Sequence, residues 1–206
     1  MLLKIHPDNP ELRKIKIVVE CLRDGGVIIY PTDTIYGLGC DINKPKAVEK
    51  IARLKNIKPE KANFSFICYD LKHISDYTRQ FDTWVYKLMK KALPGPFTFV
   101  LNANNKVPKL FQSRKQTVGI RVPNNTIARE IVMELGNPIM TTSLHLADDI
   151  LQYPTDPEEI FEEYKNKVDI VIDGGYGNNL SSTVIDCTEN FPYVLRDGAG
   201  DIEQYL

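Results

Sequence analysis

The chain has 206 residues, of which 43% are hydrophobic and 26% charged, and its formal net charge at pH 7 is −1. This length suits one domain with a sizeable core, so we expect residues 1–206 to form a single domain. The balanced charge excludes a protein that binds nucleic acid through overall basicity, and RNA binding would need a local basic patch.

Helical and strand patterns alternate along the chain, which predicts an α/β or α+β domain. Apolar residues recur at helical spacing within residues 12–22, 47–54, 81–92 and 127–135. Short apolar runs predict strands at residues 27–30, 64–68, 97–101, 117–122, 139–142, 169–173, 183–186 and 193–196. Residues 146–157 are predicted to be an exposed loop that precedes a short helix.

The four cysteines are far apart and include no C-x-x-C pair. They are Cys21, Cys40, Cys68 and Cys187. This spacing argues against a zinc site or a disulfide framework and favours the reducing cytoplasm. No signal peptide is recognisable at the N terminus, and no apolar run is long enough to span a membrane.

Polar segments interrupt the apolar elements, each at the end of a predicted strand, where rigid strands aim ligand-binding loops. The first follows residues 27–30 and contains Thr32, Asp33 and Thr34. After it, Gly37 and Gly39 permit a close backbone approach. A proline-initiated turn in which Asp33 caps backbone amides would explain the same residues equally well.

The next segments supply cations. Lys55 and Lys58 suit phosphate oxygens, although cations at the end of a helix also offset its dipole. Strand alternation places Thr117, Gly119 and Arg121 on one face, a set that suits a cleft wall for a carboxylate or phosphate better than a core. An edge-strand arginine held in an ion pair is the alternative explanation.

The remaining segments add hydroxyl groups. Thr141 and Ser143 alternate onto one face, and His145 would follow them, although a lone histidine is more often structural. Ser182 lies directly before one predicted strand, and Arg196 lies at the end of the next. Ordinary turn chemistry would also explain both residues. Together, these cations and hydroxyl groups suit the binding of phosphate and carboxylate. We expect no metal site made from protein side chains. A nucleophile elbow, a P-loop and a dinucleotide-binding fingerprint are absent from the sequence.

Five ordered motifs resemble the YrdC/YciO family, and two further segments, KANFSFIC and TTSLH, resemble its YciO branch rather than its YrdC branch. The motifs are YPTDTIYGLG, PGPFTFVL, VGIRVP, SSTVID and LRDG. The resemblance implies a twisted mixed sheet with flanking helices around a concave, positively lined cavity. It also implies an L-threonylcarbamoyladenylate synthase, which joins L-threonine, bicarbonate and magnesium-bound ATP and releases pyrophosphate. The product serves the modification of tRNA.

The same resemblance implies roles for individual residues. The implied threonine contacts are Thr32, Arg121, Thr141 and Ser182, with Arg121 on the carboxylate. The implied nucleotide contacts are Lys55, Lys58, Asn63, Thr117, Ser143 and Arg196. The implied catalytic cations are Lys55, Lys58 and Arg121. The implied partners are ATP, L-threonine and bicarbonate, with tRNA or double-stranded RNA and tRNA-modification proteins as further candidates.

Two segments depart from the synthase pattern. The K-x-R-P run is one residue longer here, and Lys58 replaces a forked arginine that could hold phosphate with two donors. The S-A-N segment reads Ser143-Leu144-His145. These departures leave two alternatives open, namely a paralogue that breaks down a related acyl-adenylate and a protein that binds structured RNA. The cations available for RNA are Lys87, Lys90, Lys91, Lys106, Lys109, Arg114 and Lys115.

Overall fold

The structure, a computed structural model, describes residues 1–57, 64–108, 116–144 and 153–205. Its strands are β1 (Leu2–Lys4), β2 (Ile28–Tyr30), β3 (Gly37–Asp41), β4 (Ser65–Ile67), β5 (Phe97–Asn102), β6 (Thr117–Arg121), β7 (Ile139–Ser143), β8 (Ile170–Asp173), β9 (Thr183–Asp186) and β10 (Tyr193–Arg196). They form one ten-stranded mixed sheet in the order β1-β8-β2-β3-β7-β4-β6-β5-β9-β10.

The helices of the described residues pack on both faces of this sheet. They are α1 (Leu12–Arg23), α2 (Pro45–Leu54), α3 (Leu71–Ser75), α4 (Thr83–Ala92), α5 (Thr126–Leu135) and α6 (Pro157–Tyr164). None of them is long and apolar enough to cross a membrane. The expectation of a mixed sheet flanked by helices is therefore confirmed.

The two faces of the sheet are covered to different extents. On one face, alternate residues such as Phe66, Phe99 and Ile120 form a core with α2, α4 and α6. On the opposite face, Ile67 and Ile139 join a second core that α1 and α5 provide. The sheet residues of this second core come from β2, β4, β7 and β8, so α1 and α5 leave the same face of β6, β5 and β9 uncovered.

The predicted elements are confirmed, and their ends differ from the structure by at most two residues. Four of the described elements were missed, namely β1, β3, α3 and a 3₁₀ helix at Glu203–Tyr205. Of the predicted loop at residues 146–157, positions 146–152 lie outside the described residues, and α6 is the short helix expected after it.

Gly37 and Gly39, for which the sequence predicted only a close backbone approach, belong to strand β3. A methyl group at Gly39 would lie 2.7 Å from Ile139 Cγ2 and 3.0 Å from the ring of Tyr30. At Gly37 it would lie 2.9 Å from that ring. The glycines therefore make room for a buried tyrosine beside a paired strand, although Gly37 also lines the cleft described below.

We expect Ile131→Ala to weaken the packing of α5 on the sheet. Ile131 is fully buried in the core that α1 and α5 form, so its truncation should lower the free energy of unfolding by about 2–5 kcal/mol. Met133 on the same helix is 47% exposed, and Met133→Ala should change that free energy by about 0.5 kcal/mol or less. Urea denaturation measures both variants, and equal losses would contradict the packing described.

Candidate functional site

A cleft of about 500 Å³ lies on the face of the sheet that α1 and α5 leave uncovered. Its volume falls within the range of small-molecule sites. The strand register fixes its floor, because a row of directly paired residues crosses five neighbouring strands from β7 to β9. The row is Thr141, Ser65, Gly119, Val100 and Asp186.

Small and hydroxyl-bearing residues dominate this floor. A methyl group at Gly119 would lie 2.7 Å from Ser65 Oγ, so the glycine keeps the middle of the floor open. Thr117 and Arg121 flank Gly119 on the same face of β6, and all three line the cleft. The predicted cleft wall on this strand is therefore present. Such a floor offers hydrogen bonds rather than apolar bulk.

Arg121 is the buried cation of this cleft, with 7% of the residue exposed. Its Nη2 donates to Asp33 Oδ1 and to Thr32 Oγ1, the latter at 3.2 Å. Its Nε is buried and has no hydrogen-bond partner among the described residues. A buried guanidinium N–H without an acceptor is costly, so the arrangement favours a ligand that supplies one.

Asp33 is a site residue whose pairing the sequence analysis did not predict. Besides its ion pair with Arg121, its Oδ2 accepts a hydrogen bond from the Asn124 N–H at 3.0 Å. The alternative explanation of Arg121 as an ion-paired arginine is thus partly correct, but β6 is an inner strand rather than an edge. No local spacing could reveal this pair, because 88 positions separate the two residues.

Two hydroxyl groups beside Arg121 are held in fixed orientations. Thr32 Oγ1 donates to the Ile35 carbonyl at 2.7 Å and accepts from the Thr34 N–H at 3.0 Å. Thr141 Oγ1 accepts from the Tyr30 hydroxyl at 2.6 Å. Burial raises the pKa of Tyr30, which keeps its hydroxyl protonated as the donor. The hydrogen of Thr141 is consequently available for a ligand.

Ser182 and Arg196 meet near the other end of the cleft. Ser182 Oγ and Thr98 Oγ1 are hydrogen-bonded at 2.8 Å. Arg196 Nη2 donates to the Ser182 carbonyl at 2.8 Å while the arginine remains exposed. A guanidinium that is anchored at one nitrogen and solvent-exposed is suited to an anionic ligand.

Lys55 reaches the edge of the cleft from the end of α2. Its Nζ donates to the carbonyl of Ser143, a lining residue, at 3.0 Å. Burial lowers the pKa of this amine. Lys58, Asn63 and His145, which the sequence analysis also named, lie outside the described residues.

The structure brings most of the predicted site residues into one cleft, and their roles stay predictions. The lining includes Thr32, Thr117, Arg121, Thr141, Ser143, Ser182 and Arg196. Sequence reasoning missed a further set, namely Tyr30, Ser65, Thr98 and Asp186, and it named Asp33 without its pairing to Arg121. In the described parts of the chain, no group of three or more His, Cys, Asp or Glu side chains could hold a metal ion.

The fold and this cleft define a mixed α/β protein with an arginine-bearing site on one half-covered face of its sheet. The Sua5_yciO_yrdC family model, which carries the description "Telomere recombination", matches residues 20–198. The chain belongs to this family. The uncharacterized protein YciO of Escherichia coli (strain K12) is 43% identical over 203 residues, which are 98% of this chain and 97% of that protein.

Two solved structures and one further relative extend the comparison. The crystal structure of E. coli YciO matches with a TM-score of 0.93 at 40% identity and covers 100% of this chain and 99% of its own. The threonylcarbamoyl-AMP synthase of Pyrococcus abyssi (strain GE5 / Orsay) is 29% identical over 192 residues, 93% of this chain and 56% of the synthase. The crystal structure of P. abyssi Sua5 complexed with L-threonine has a TM-score of 0.87 at 28% identity, covering 96% and 57% of the two chains.

We expect Asp33→Ala to destabilise the protein because it leaves the Arg121 guanidinium, whose side chain is 9% exposed, without its charge partner. The free energy of unfolding should fall by about 3 kcal/mol. The matched control is Asp76→Ala, which breaks the exposed Lys106–Asp76 pair and should cost about 1 kcal/mol or less. Chemical denaturation measures both, and a loss for Asp33→Ala no larger than the control's would contradict the burial of this pair.

Proposed function

We propose that this protein is an L-threonylcarbamoyladenylate synthase that joins L-threonine, bicarbonate and ATP. The observation that carries the proposal is the buried guanidinium of Arg121, whose Nε lacks a partner among the described residues and which lies beside Thr32 in the cleft. A guanidinium binds a carboxylate through parallel N–H donors, so the α-carboxylate of an amino acid suits this position.

The hydroxyl groups around Arg121 suit the rest of a threonine molecule. Thr141 has a hydrogen to donate, and Thr32 is anchored beside the guanidinium. Ser182 adds a further hydroxyl in the same cleft. The P. abyssi Sua5 structure, which was determined with L-threonine, supports this assignment because its fold matches 96% of this chain.

The nucleotide would occupy the remaining part of the cleft. Thr117, Ser143 and Arg196 line it, and Lys55 reaches Ser143 from its edge. We propose that Arg196 and Lys55 offset the phosphate charge and that Mg²⁺ enters with ATP as part of the substrate. The similarity to the threonylcarbamoyl-AMP synthase of P. abyssi supports this half of the proposal.

The proposed reaction asks the protein mainly for positioning and charge. The amine of threonine attacks bicarbonate, and the new C–N bond of N-carboxy-threonine forms as a C–O bond of bicarbonate breaks and water leaves. A carboxylate oxygen of N-carboxy-threonine then attacks the α-phosphorus of ATP. The new bond forms between that oxygen and phosphorus as the bond to the bridging oxygen breaks and pyrophosphate leaves. Negative charge grows on the phosphoryl oxygens, and nearby cations stabilise it.

Breakdown of a related acyl-adenylate is the second candidate. One observation favours it: the amine of Lys55 is engaged by the Ser143 carbonyl, at the start of the segment that departs from the synthase pattern. An engaged amine is less available to ATP phosphates. RNA binding has weaker support, because Lys106 pairs with Asp76, and three of the cations considered for it lie outside the described residues.

We expect the purified protein to release pyrophosphate and form threonylcarbamoyl-adenylate from MgATP, L-threonine and bicarbonate. Arg121→Ala should lower kcat/KM for threonine by about 100-fold, because it removes a buried partner of the carboxylate. Arg23→Ala is the control, since Arg23 donates to the Glu134 carbonyl away from the cleft and should retain activity.

A pyrophosphate release assay, with the adenylate detected by mass spectrometry, measures these outcomes. Absence of product at high enzyme concentration would overturn the synthase proposal. In that case, incubation with threonylcarbamoyl-adenylate separates the candidates, because an enzyme that breaks it down consumes it faster than buffer does. Thermal melting of Arg121→Ala checks that its loss of activity is not a loss of folding.

A further inference from the structure

We infer that the β9–β10 end of the cleft is a ribonucleoside subsite, in which the Asp186 carboxylate accepts hydrogen bonds from the ribose hydroxyls and the Tyr193 ring packs against the base. The inference rests on the proposed function, because it assigns the half of the cleft that would hold ATP. Neither residue belongs to the set that the sequence analysis named.

Asp186 is a carboxylate on the cleft floor, and it is held rigidly. It pairs with Val100 in the sheet and lines the cleft. Its Oδ1 accepts hydrogen bonds from the Thr188 N–H at 2.9 Å and the Thr188 hydroxyl at 2.6 Å. Its Oδ2 receives no hydrogen bond from the described residues, so one oxygen of a fixed carboxylate is available to a ligand.

The charge of Asp186 restricts what this end of the cleft can bind. A carboxylate accepts hydrogen bonds from hydroxyl or amino groups and repels phosphate and carboxylate. Among the charged residues that line the described cleft, Arg121 and Arg196 are the cations and Asp186 is the anion. A ligand with phosphates near the arginines therefore has to present neutral donors to Asp186, and a ribose diol is such a group.

Arg196 lies at a suitable distance for this arrangement. It pairs with Val184, which is two residues from Asp186 on the same face of β9. Two residues along a strand span about 7 Å, so a single sugar can lie between the guanidinium and the carboxylate. The phosphate end of a nucleotide would then lie near Arg196 and the sugar near Asp186.

Tyr193 lies directly across from Asp186 on the neighbouring strand. Their neighbours Val194 and Ile185 pack into the core on the other face, so Tyr193 and Asp186 both face the cleft side. Tyr193 is 69% exposed. An exposed ring beside a sugar-binding carboxylate is positioned to stack on a base, a contact that tolerates any base because each has a π face.

The test compares the binding of MgATP and Mg–2′-deoxyATP to the wild-type protein by calorimetry. We expect ATP to bind about tenfold to a hundredfold more tightly, as one hydrogen bond to a charged group predicts. Asp186→Asn keeps the shape and an acceptor for Thr188 and should bring the two affinities within about threefold of each other. Glu189→Gln removes an exposed carboxylate outside the cleft and should keep the wild-type ratio.

The base contact has its own pair of variants. Tyr193→Ala should weaken both nucleotides by about tenfold, whereas Tyr193→Phe, which keeps the ring, should bind as the wild type does. Unchanged affinity in Tyr193→Ala would overturn the base contact.

Equal binding of ATP and 2′-deoxyATP by the wild type, or discrimination that survives in Asp186→Asn, would overturn the ribose contact and leave the synthase proposal standing. The wild-type comparison needs no variant to fold. Absence of any ATP binding would overturn the synthase proposal itself and the subsite with it.

Discussion

The incomplete cover on one face of the sheet is the constraint on which the site depends. Helices α1 and α5 bury Ile67 and Ile139, but no helix of the described residues packs on the same face of β6, β5 and β9. The opposite face is packed against α2, α4 and α6, so the strands beneath the cleft are held by a complete core. Residues on the open half therefore sit on a rigid floor whose geometry the strand register sets.

The ion pair between Arg121 and Asp33 joins this floor to the loop after β2. Because Asp33 also accepts the Asn124 N–H, the carboxylate fixes the guanidinium and the loop together. One guanidinium nitrogen is satisfied by protein oxygens, while Nε has no partner among the described residues. The same arginine thus pairs with Asp33 through Nη2 and keeps its Nε donor for a ligand, which accounts for a buried charge lining a cleft.

The sequence predicted the site where a local pattern determines side-chain direction. Period-two alternation placed Thr117, Gly119 and Arg121 on one face, and this needed no knowledge of the neighbouring strands. Strand β3 escaped prediction because Gly39 suits a strand only through its packing against Ile139 and Tyr30, which are distant in the chain. Other site residues depend on pairings across the sheet. Asp186 ends an ordinary apolar run, and only its register with Val100 places it on the cleft floor.

The distribution of charge gives the cleft a direction. From Arg121 to Asp186 the floor crosses two strand spacings and two residues, which is about 12 Å. A ligand that is anionic at both ends would place one of its charges against the Asp186 carboxylate. A ligand made of a carboxylate, a phosphate and a sugar would do the same if it were bound in the reversed orientation. Only the orientation with the amino-acid carboxylate at Arg121 and the sugar at Asp186 satisfies both ends. The cleft would then accept threonine and a nucleotide in a single order along the floor, with the phosphates between them, where the reaction that we propose takes place.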